Sequence, residues 1–296
     1  MIFSLLGKVF RQQSSYKTFS KEPAEHEKLI PVHCPICFAD TAQPYWDCGR
    51  YLFSRCIHCG HVYQNPMPAS DDLLERYDAE YKEYEVENSE NFFTLMRYGL
   101  RDAAFFSLER GISGGKHALD IGCATGVLVK YLCGRGWNAE GLEVCRPAAE
   151  YGMKHRGVHI HVDTLEAAKL GSDRYDLVHF SHVIEHLPDI NAFLEEVRRI
   201  TRIGGHIIMT TPNRNSLQAA VMGKQWRSAI ADHTHVFSVK ELITLVERHG
   251  FSLLRWKSWG GIPVGMAPPL VKKHVDRLAR LLGIGDVVML MARRVS

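Results

Sequence analysis

The amino-acid sequence predicts an α/β protein. A mainly parallel sheet of seven strands should carry helices on both faces, behind a small cysteine-rich module. Three observations carry that expectation. From residue 116 onward, short apolar runs alternate with amphipathic stretches. A glycine turn, Asp120-Ile-Gly-Cys-Ala-Thr-Gly126, follows the first of those runs. Upstream, Cys34-Pro-Ile-Cys37 and Cys56-Ile-His-Cys59 form two Cys-x-x-Cys pairs, separated by 18 residues.

Taken in order, residues 1–30 are a peripheral segment. Ile2, Phe3, Leu5, Leu6, Val9 and Phe10 fall on one helical arc with Lys8 and Arg11 opposite. Residues 1–12 are therefore a candidate membrane-surface contact, and a helix packed on the body is the simpler reading. Residues 31–68 are rich in proline and hold five of the eight cysteines. A helical pattern starts at Asp71 and runs, broken, to about Arg110, which makes 69–112 a connector and substrate cap. Gly111-Ile-Ser-Gly-Gly is a flexible joint, and 113–296 form the main domain. Its strands are expected at 116–121, 138–143, 157–162, 175–180, 205–211, 251–259 and 286–294. A helix over 189–201 has Asp189 as its cap, and one over 238–249 has a Ser238/Glu241 capping box with Gly250 beyond its end. In 270–282, Lys272, Lys273, Arg277 and Arg280 lie opposite Leu270, Val275, Leu278, Leu281 and Leu282. A membrane-surface helix fits that pattern, and a solvated basic face over a core-packing one is the simpler reading.

Composition narrows the classes. At 296 residues, 46% hydrophobic and 23% charged, the chain suits a soluble enzyme with one substantial core. A net charge of +3 argues for neither nucleic acid nor an anionic surface. No apolar run reaches the ~18–20 residues that span a bilayer, and Met1–Phe10 makes a poor signal peptide. The expected compartment is the cytoplasm, with membrane association through residues 1–12 as a variant. There the cysteines are thiols or metal ligands rather than disulfides.

The glycine turn must let a ligand approach the backbone, which explains Gly122 and Gly126. Dinucleotide-binding proteins use a related turn, but here Asp120 precedes it. A pyrophosphate would be repelled there, whereas a sulfonium-bearing amino acid with a free ammonium would be welcome. The next strand ends in Glu143, placed to accept both ribose hydroxyls, although nicotinamide cofactors use the same device.

Over residues 115–295 this pattern resembles the class I, Rossmann-like, S-adenosylmethionine-dependent methyltransferases. The resemblance implies that Gly122, Cys123, Ala124 and Gly126 lie beside the methionyl part of the donor. It also implies that Glu143 binds the ribose and that Asp163, with Thr164, faces the adenine. Ala124 stands where the commonest pattern has a third glycine. Tyr175-Asp-Leu-Val-His-Phe-Ser-His-Val-Ile-Glu-His-Leu-Pro-Asp resembles the fourth-strand motif of the small-molecule branch. It delivers Ser181, His182, Glu185 and His186 to the carboxyl edge of the sheet.

Methyl transfer is an in-line displacement, so the protein supplies alignment and removes a proton from the acceptor. Histidine suits that task near neutrality. His182 and His186, four apart, are candidates as base and orienter or as metal ligands. Asp232-His-Thr-His-Val-Phe-Ser resembles the loop that crosses the active site in these enzymes, with 213–236, including Met222 and Trp226, as the lid. His235 is the first choice for general base and His233 the second.

Four thiolates on two tight turns suit tetrahedral Zn²⁺, with iron as the alternative, and Cys34, Cys37, Cys56 and Cys59 close the shell in a structural site. A module of ~40 residues needs such a staple. Cys48, Cys123, Cys133 and Cys145 show no ligand spacing and are expected to pack. A zinc ribbon ahead of this domain resembles a recurrent bacterial fusion associated with polysaccharide, lipid or secondary-metabolite biosynthesis. The leading expectation is O-methylation of a small-molecule acceptor, with no nucleic-acid partner. The alternatives are C-methylation of a nucleotide-linked sugar, a nicotinamide-dependent oxidoreductase, and a zinc-ribbon binding or scaffold protein with a vestigial cofactor fold.

Overall fold

A computed structural model describes residues 27–296 apart from 70–72, 74, 75, 113, 114 and 264. The segment 1–12 therefore lies outside the described residues. The large sheet contains β6 (His117–Ile121), β7 (Asn138–Leu142), β8 (Ile160–His161), β9 (Tyr175–Ser181), β10 (Thr201–Pro212), β12 (Phe251–Trp259) and β13 (Val287–Arg294). Its strand order is β12-β13-β10-β9-β6-β7-β8. Pairing is parallel from β10 through β8, and β13 runs antiparallel to both β10 and β12. Seven strands were expected and seven form. The third is shorter than its apolar run, and β10 is longer.

Helices α1 (Ala79–Asp102), α2 (Phe105–Gly111), α3 (Val127–Cys133), α4 (Arg146–Arg156), α5 (Ile190–Ile200), α6 (Leu217–Met222), α7 (Val239–Arg248) and α8 (Pro269–Leu282) accompany the strands. Asp189 caps α5 through the Asn191 and Ala192 amides, and Ser238 with Glu241 closes a capping box on α7. The break in the 71–110 pattern falls at Ala103 and Ala104, where φ is +56° at Ala104. Helix α1 begins at Ala79, capped by Asp78, and Asp71, where the helical pattern was expected to start, lies outside the described residues.

The cysteine module is β1 (Leu29–Ile30), β2 (Ala42–Asp47), β3 (Leu52–Cys56), β4 (Val62–Gln64) and β5 (Met67–Pro68). It does not stand apart. β11 (His235–Val236), a strand of the large domain, pairs antiparallel with β4 and completes a sheet of order β11-β4-β3-β2. Cys34, Ile36, Cys56, Tyr63 and Met67 belong to the same apolar cluster as Phe193, Phe237 and Leu290. The module is knit into the main core.

Helix α8 corrects an expectation. Its leucines do not pack on the body: Leu270 is 69% exposed, Leu278 55%, Leu281 75% and Leu282 62%, and only Ala279 is buried. Polar residues hold the helix in place instead. Asp276 accepts the Gly261 amide at 2.8 Å, and Arg280 pairs with Asp102 at 2.9 Å. Cys133 is likewise exposed rather than packed. Among the described residues no helix is long and apolar enough to cross a membrane.

Candidate active site

A cleft of about 1840 Å³ opens at the carboxyl edge of the parallel strands. One wall is the turn after β6. Gly122 has φ +67°, and a β-carbon there would stand 2.5 Å from Val183 Cγ2, so only glycine fits. Ala124 also adopts the left-handed region, φ +47°, which costs an L-residue about 1–2 kcal/mol. Its amide donates to Glu143 Oε2 at 2.8 Å, while Glu143 Oε1 accepts from the Cys145 amide at 2.8 Å. Burial pushes the Glu143 carboxyl up to about 6, against those two hydrogen bonds. Gly122, Ala124, Glu143, Asp163, Thr164 and Ser181 all line the cleft.

Three residues expected there do not line it. Asp120 sits beneath the turn, 2% exposed, and accepts from His179 Nδ1 at 2.6 Å. Its Oδ2 is buried with no partner. Cys123 packs into the apolar cluster with Leu128 and Ile160. Gly126 starts α3 at φ +70°, and a β-carbon would meet Val158 Cγ2 at 2.8 Å. Its glycine is demanded by helix packing, not by the cleft.

The turn after β9, beside the glycine turn, carries histidines. His182, in the left-handed region at φ +54°, bonds through Nδ1 to Glu185 Oε1 at 2.9 Å. The other Glu185 oxygen accepts from Thr211 Oγ1 at 2.9 Å. Although burial opposes it, the bond from His182 and the neighbouring imidazoles hold the Glu185 carboxyl down to about 2. A carboxylate acceptor puts the proton on Nδ1 and leaves Nε2 of His182 bare. His186 Nδ1 donates to the Asp232 carbonyl at 2.9 Å, and His233 Nδ1 to the Ser228 carbonyl at 2.8 Å. The two rings meet edge to face with centroids 4.7 Å apart. Burial, then the His186 charge, lowers His233 to about 3. Glu185, His186 and His233 bring ligand atoms within 4.8 Å of one another, so they could hold a cation. His182 and His186 do not share an α-helical face, because the chain between them forms a short 3-10 turn at Ile184–His186.

His235, expected as the base, does not reach the cleft. It is fully buried on β11, where it bonds to His61 Nε2 at 3.3 Å and stacks on that ring. Pairing with β4 turned it toward the ribbon, whereas His233, ahead of β11 in the preceding loop, lines the cleft. His61 also meets Glu241 Oε2 at 3.4 Å.

Ribbon residues brace the lid. Gln64 Nε2 donates to the carbonyls of Ala231 and His233 at 2.8 and 2.9 Å, and Tyr51 donates to Ala229 at 2.9 Å. Trp226 packs with Phe53, Val62 and Val236 and donates to Asp286 at 2.6 Å. The 213–236 segment is thus pinned, not free. Tyr77, just ahead of helix α1, and Tyr81, Tyr84 and Glu85 on it add to the cleft, and sequence reasoning did not single them out. The three- and four-residue spacing of Tyr84 and Glu85 from Tyr81 on one helix face was the available signal. Burial and then the Glu143 charge raise Glu85 to about 8.

At the ribbon tip, Cys34 Sγ lies 3.4 Å from Cys59 Sγ and Cys37 Sγ 3.5 Å from Cys56 Sγ, and all four sulfurs fall within 4.8 Å.

Comparisons with known proteins agree with this architecture. A family model described as a methyltransferase domain matches residues 95–255. The ubiquinone biosynthesis O-methyltransferase of Aeromonas salmonicida is 28% identical over 149 residues, covering 46% of this chain and 63% of that protein. That of Pectobacterium atrosepticum is 29% identical over 173 residues, covering 55% and 66%. The chain thus spans less than two thirds of the length of these curated relatives. One chain of a solved complex with the Haloferax volcanii Trm112 methyltransferase activator superposes with TM-score 0.55 at 15% identity, covering 73% of this chain and 98% of that one. A Thermotoga maritima S-adenosylmethionine-dependent methyltransferase superposes with TM-score 0.50 at 21% identity, covering 72% and 97%. These likenesses show the Rossmann-like methyltransferase fold. The cyclase SpnF shares it at TM-score 0.50 and 16% identity, so the fold alone does not fix the reaction.

Proposed function

The chain belongs to the methyltransferase-domain family, and from that premise we propose that it transfers the methyl group of S-adenosylmethionine to an oxygen of a small-molecule acceptor. The observation that carries this reading is that the glycine turn and His182, its ring held by the buried Glu185, line one cleft side by side. When bound, the donor supplies an electrophilic methyl on a sulfonium. The backbone of 122–124 receives its methionyl end, with the unpartnered Asp120 Oδ2 beneath. Glu143 accepts the ribose hydroxyls, and Asp163 with Thr164 borders the adenine.

On the acceptor side, His182 takes the hydroxyl proton on Nε2 while Glu185 holds the ring and balances the imidazolium charge. His233, kept neutral and weakly basic by burial, accepts a hydrogen bond and orients the acceptor rather than deprotonating it. The tyrosines of α1 and the braced 213–236 segment exclude water.

The four thiolates fit Zn²⁺. Tetrahedral Zn–S bonds of about 2.3 Å require sulfurs about 3.8 Å apart, close to the separations found. With four protein ligands the shell is closed and the role structural. The other four cysteines form no disulfide, as suits a reducing cytoplasm.

Calorimetry with S-adenosylmethionine is the first test, and absence of binding sinks the proposal. Incubated with a metabolite extract, the wild type should convert the donor to S-adenosylhomocysteine. His182→Ala should slow that about 10²–10⁴-fold with donor affinity unchanged; undiminished conversion removes His182 from the mechanism.

A further inference from the structure

Helix α8 is attached the wrong way round for a packed amphipathic helix. Its polar side faces the protein: Lys272 Nζ donates to the Ile262 carbonyl at 3.0 Å, Asp276 takes the Gly261 amide, and Arg280 pairs with Asp102. Its apolar side faces outward. At 100° per residue, Leu270, Val271, His274, Leu278, Leu281 and Leu282 fill an arc of about 120°. All six are exposed, the five aliphatic ones by 50% to 75%. Lys273 and Arg277, also exposed, rim that arc on one side.

Soluble domains rarely leave such a patch bare unless something covers it. We propose that α8 docks the protein on an anionic lipid surface. An apolar stripe rimmed by cations is the form that lies in a bilayer interface, leucines among the acyl chains and cations at the headgroups. The helix carries Lys272, Lys273, Arg277 and Arg280 against one carboxylate, Asp276, which is turned inward. A second copy fits worse, since two such faces would oppose like charges with no carboxylate between them. The cleft lies alongside: Ile262, Pro263, Met266 and Lys272 line it, so docking would bring its rim to the lipid. The proposal goes beyond methyl transfer and does not depend on it.

The test is co-sedimentation of the full chain with vesicles, either phosphatidylcholine alone or mixed with phosphatidylglycerol at about two to one. Binding to the mixed vesicles should exceed binding to phosphatidylcholine by about tenfold or more and fall with salt. Leu278→Ser/Leu281→Ser should weaken it at least about tenfold, with circular dichroism unchanged because both side chains are exposed. Lys273→Glu/Arg277→Glu should weaken it about tenfold as well. Wild-type protein that ignores anionic vesicles overturns the proposal. So does a leucine variant that binds equally, which would assign lipid binding to another segment. Self-association in ultracentrifugation that the leucine variant abolishes would assign the face to a second copy instead.

Discussion

The two walls of the cleft are assembled differently. The proposed donor wall is nearly one stretch of chain, the turn from Asp120 to Ala124, closed by Glu143 from the neighbouring strand. The acceptor wall draws on α1, the 181–186 turn and the 226–234 segment, and the last of these is held by Gln64 and Tyr51 of the ribbon. A local turn is specified by its own backbone needs. A wall gathered from distant segments is only as well placed as the element that braces it. The ribbon is therefore more than a separate module, since its edge strand β4 and β11 share one ladder.

The strongest way to break that contrast is to remove the zinc proposed for the ribbon's four cysteines. Cys56→Ser, or chelation of the wild type, should cost on the order of 10 kcal/mol of metal-linked folding energy. The ribbon should unfold, and donor conversion should collapse with it. Calorimetry should still detect donor binding, because the donor turn leans on β6 and β7; equal loss of both functions would show that the two walls are not separable.

A smaller effect is expected on the other wall. Gly122→Ala places a β-carbon against Val183 in a left-handed residue, a strain of about 1–3 kcal/mol. Thermal melting should register it, and donor affinity should fall about tenfold while the metal content stays that of the wild type. An unchanged affinity would mean that the turn does not meet the donor.

The mildest change sharpens the comparison most. Gln64→Ala deletes two hydrogen bonds to the carbonyls of Ala231 and His233, each worth about 1 kcal/mol. Gln64 does not line the cleft, so turnover should drop several-fold with donor affinity intact. If kcat does not move, the ribbon does not position the histidine loop.

Much of this was legible in the residues. The caps at Asp189 and Ser238 are local hydrogen bonds within three residues of each other in sequence, so spacing alone reveals them. The four sulfurs converge as the Cys-x-x-Cys spacing implies. His235 was misjudged because β11 pairs with a strand about 170 residues earlier, and no local pattern signals that register. The same limit hid the partner of Asp120 and the tyrosine face of α1. Helix α8 was misread for another reason. Periodicity states that a helix has two faces, but not which of them the rest of the chain will cover.

By itself, then, the sequence determined the alternation of strands and helices, the glycine turn with its Glu143 partner and the four-thiol cluster. Each depends on backbone preference or on spacing of a few residues. Only the tertiary structure decided which histidines face the cleft, that the ribbon completes its sheet with a strand of the main domain, and that the leucines of α8 look outward. Those outcomes turn on which surfaces meet after folding, and burial against a distant segment leaves no mark in the spacing of the residues it buries.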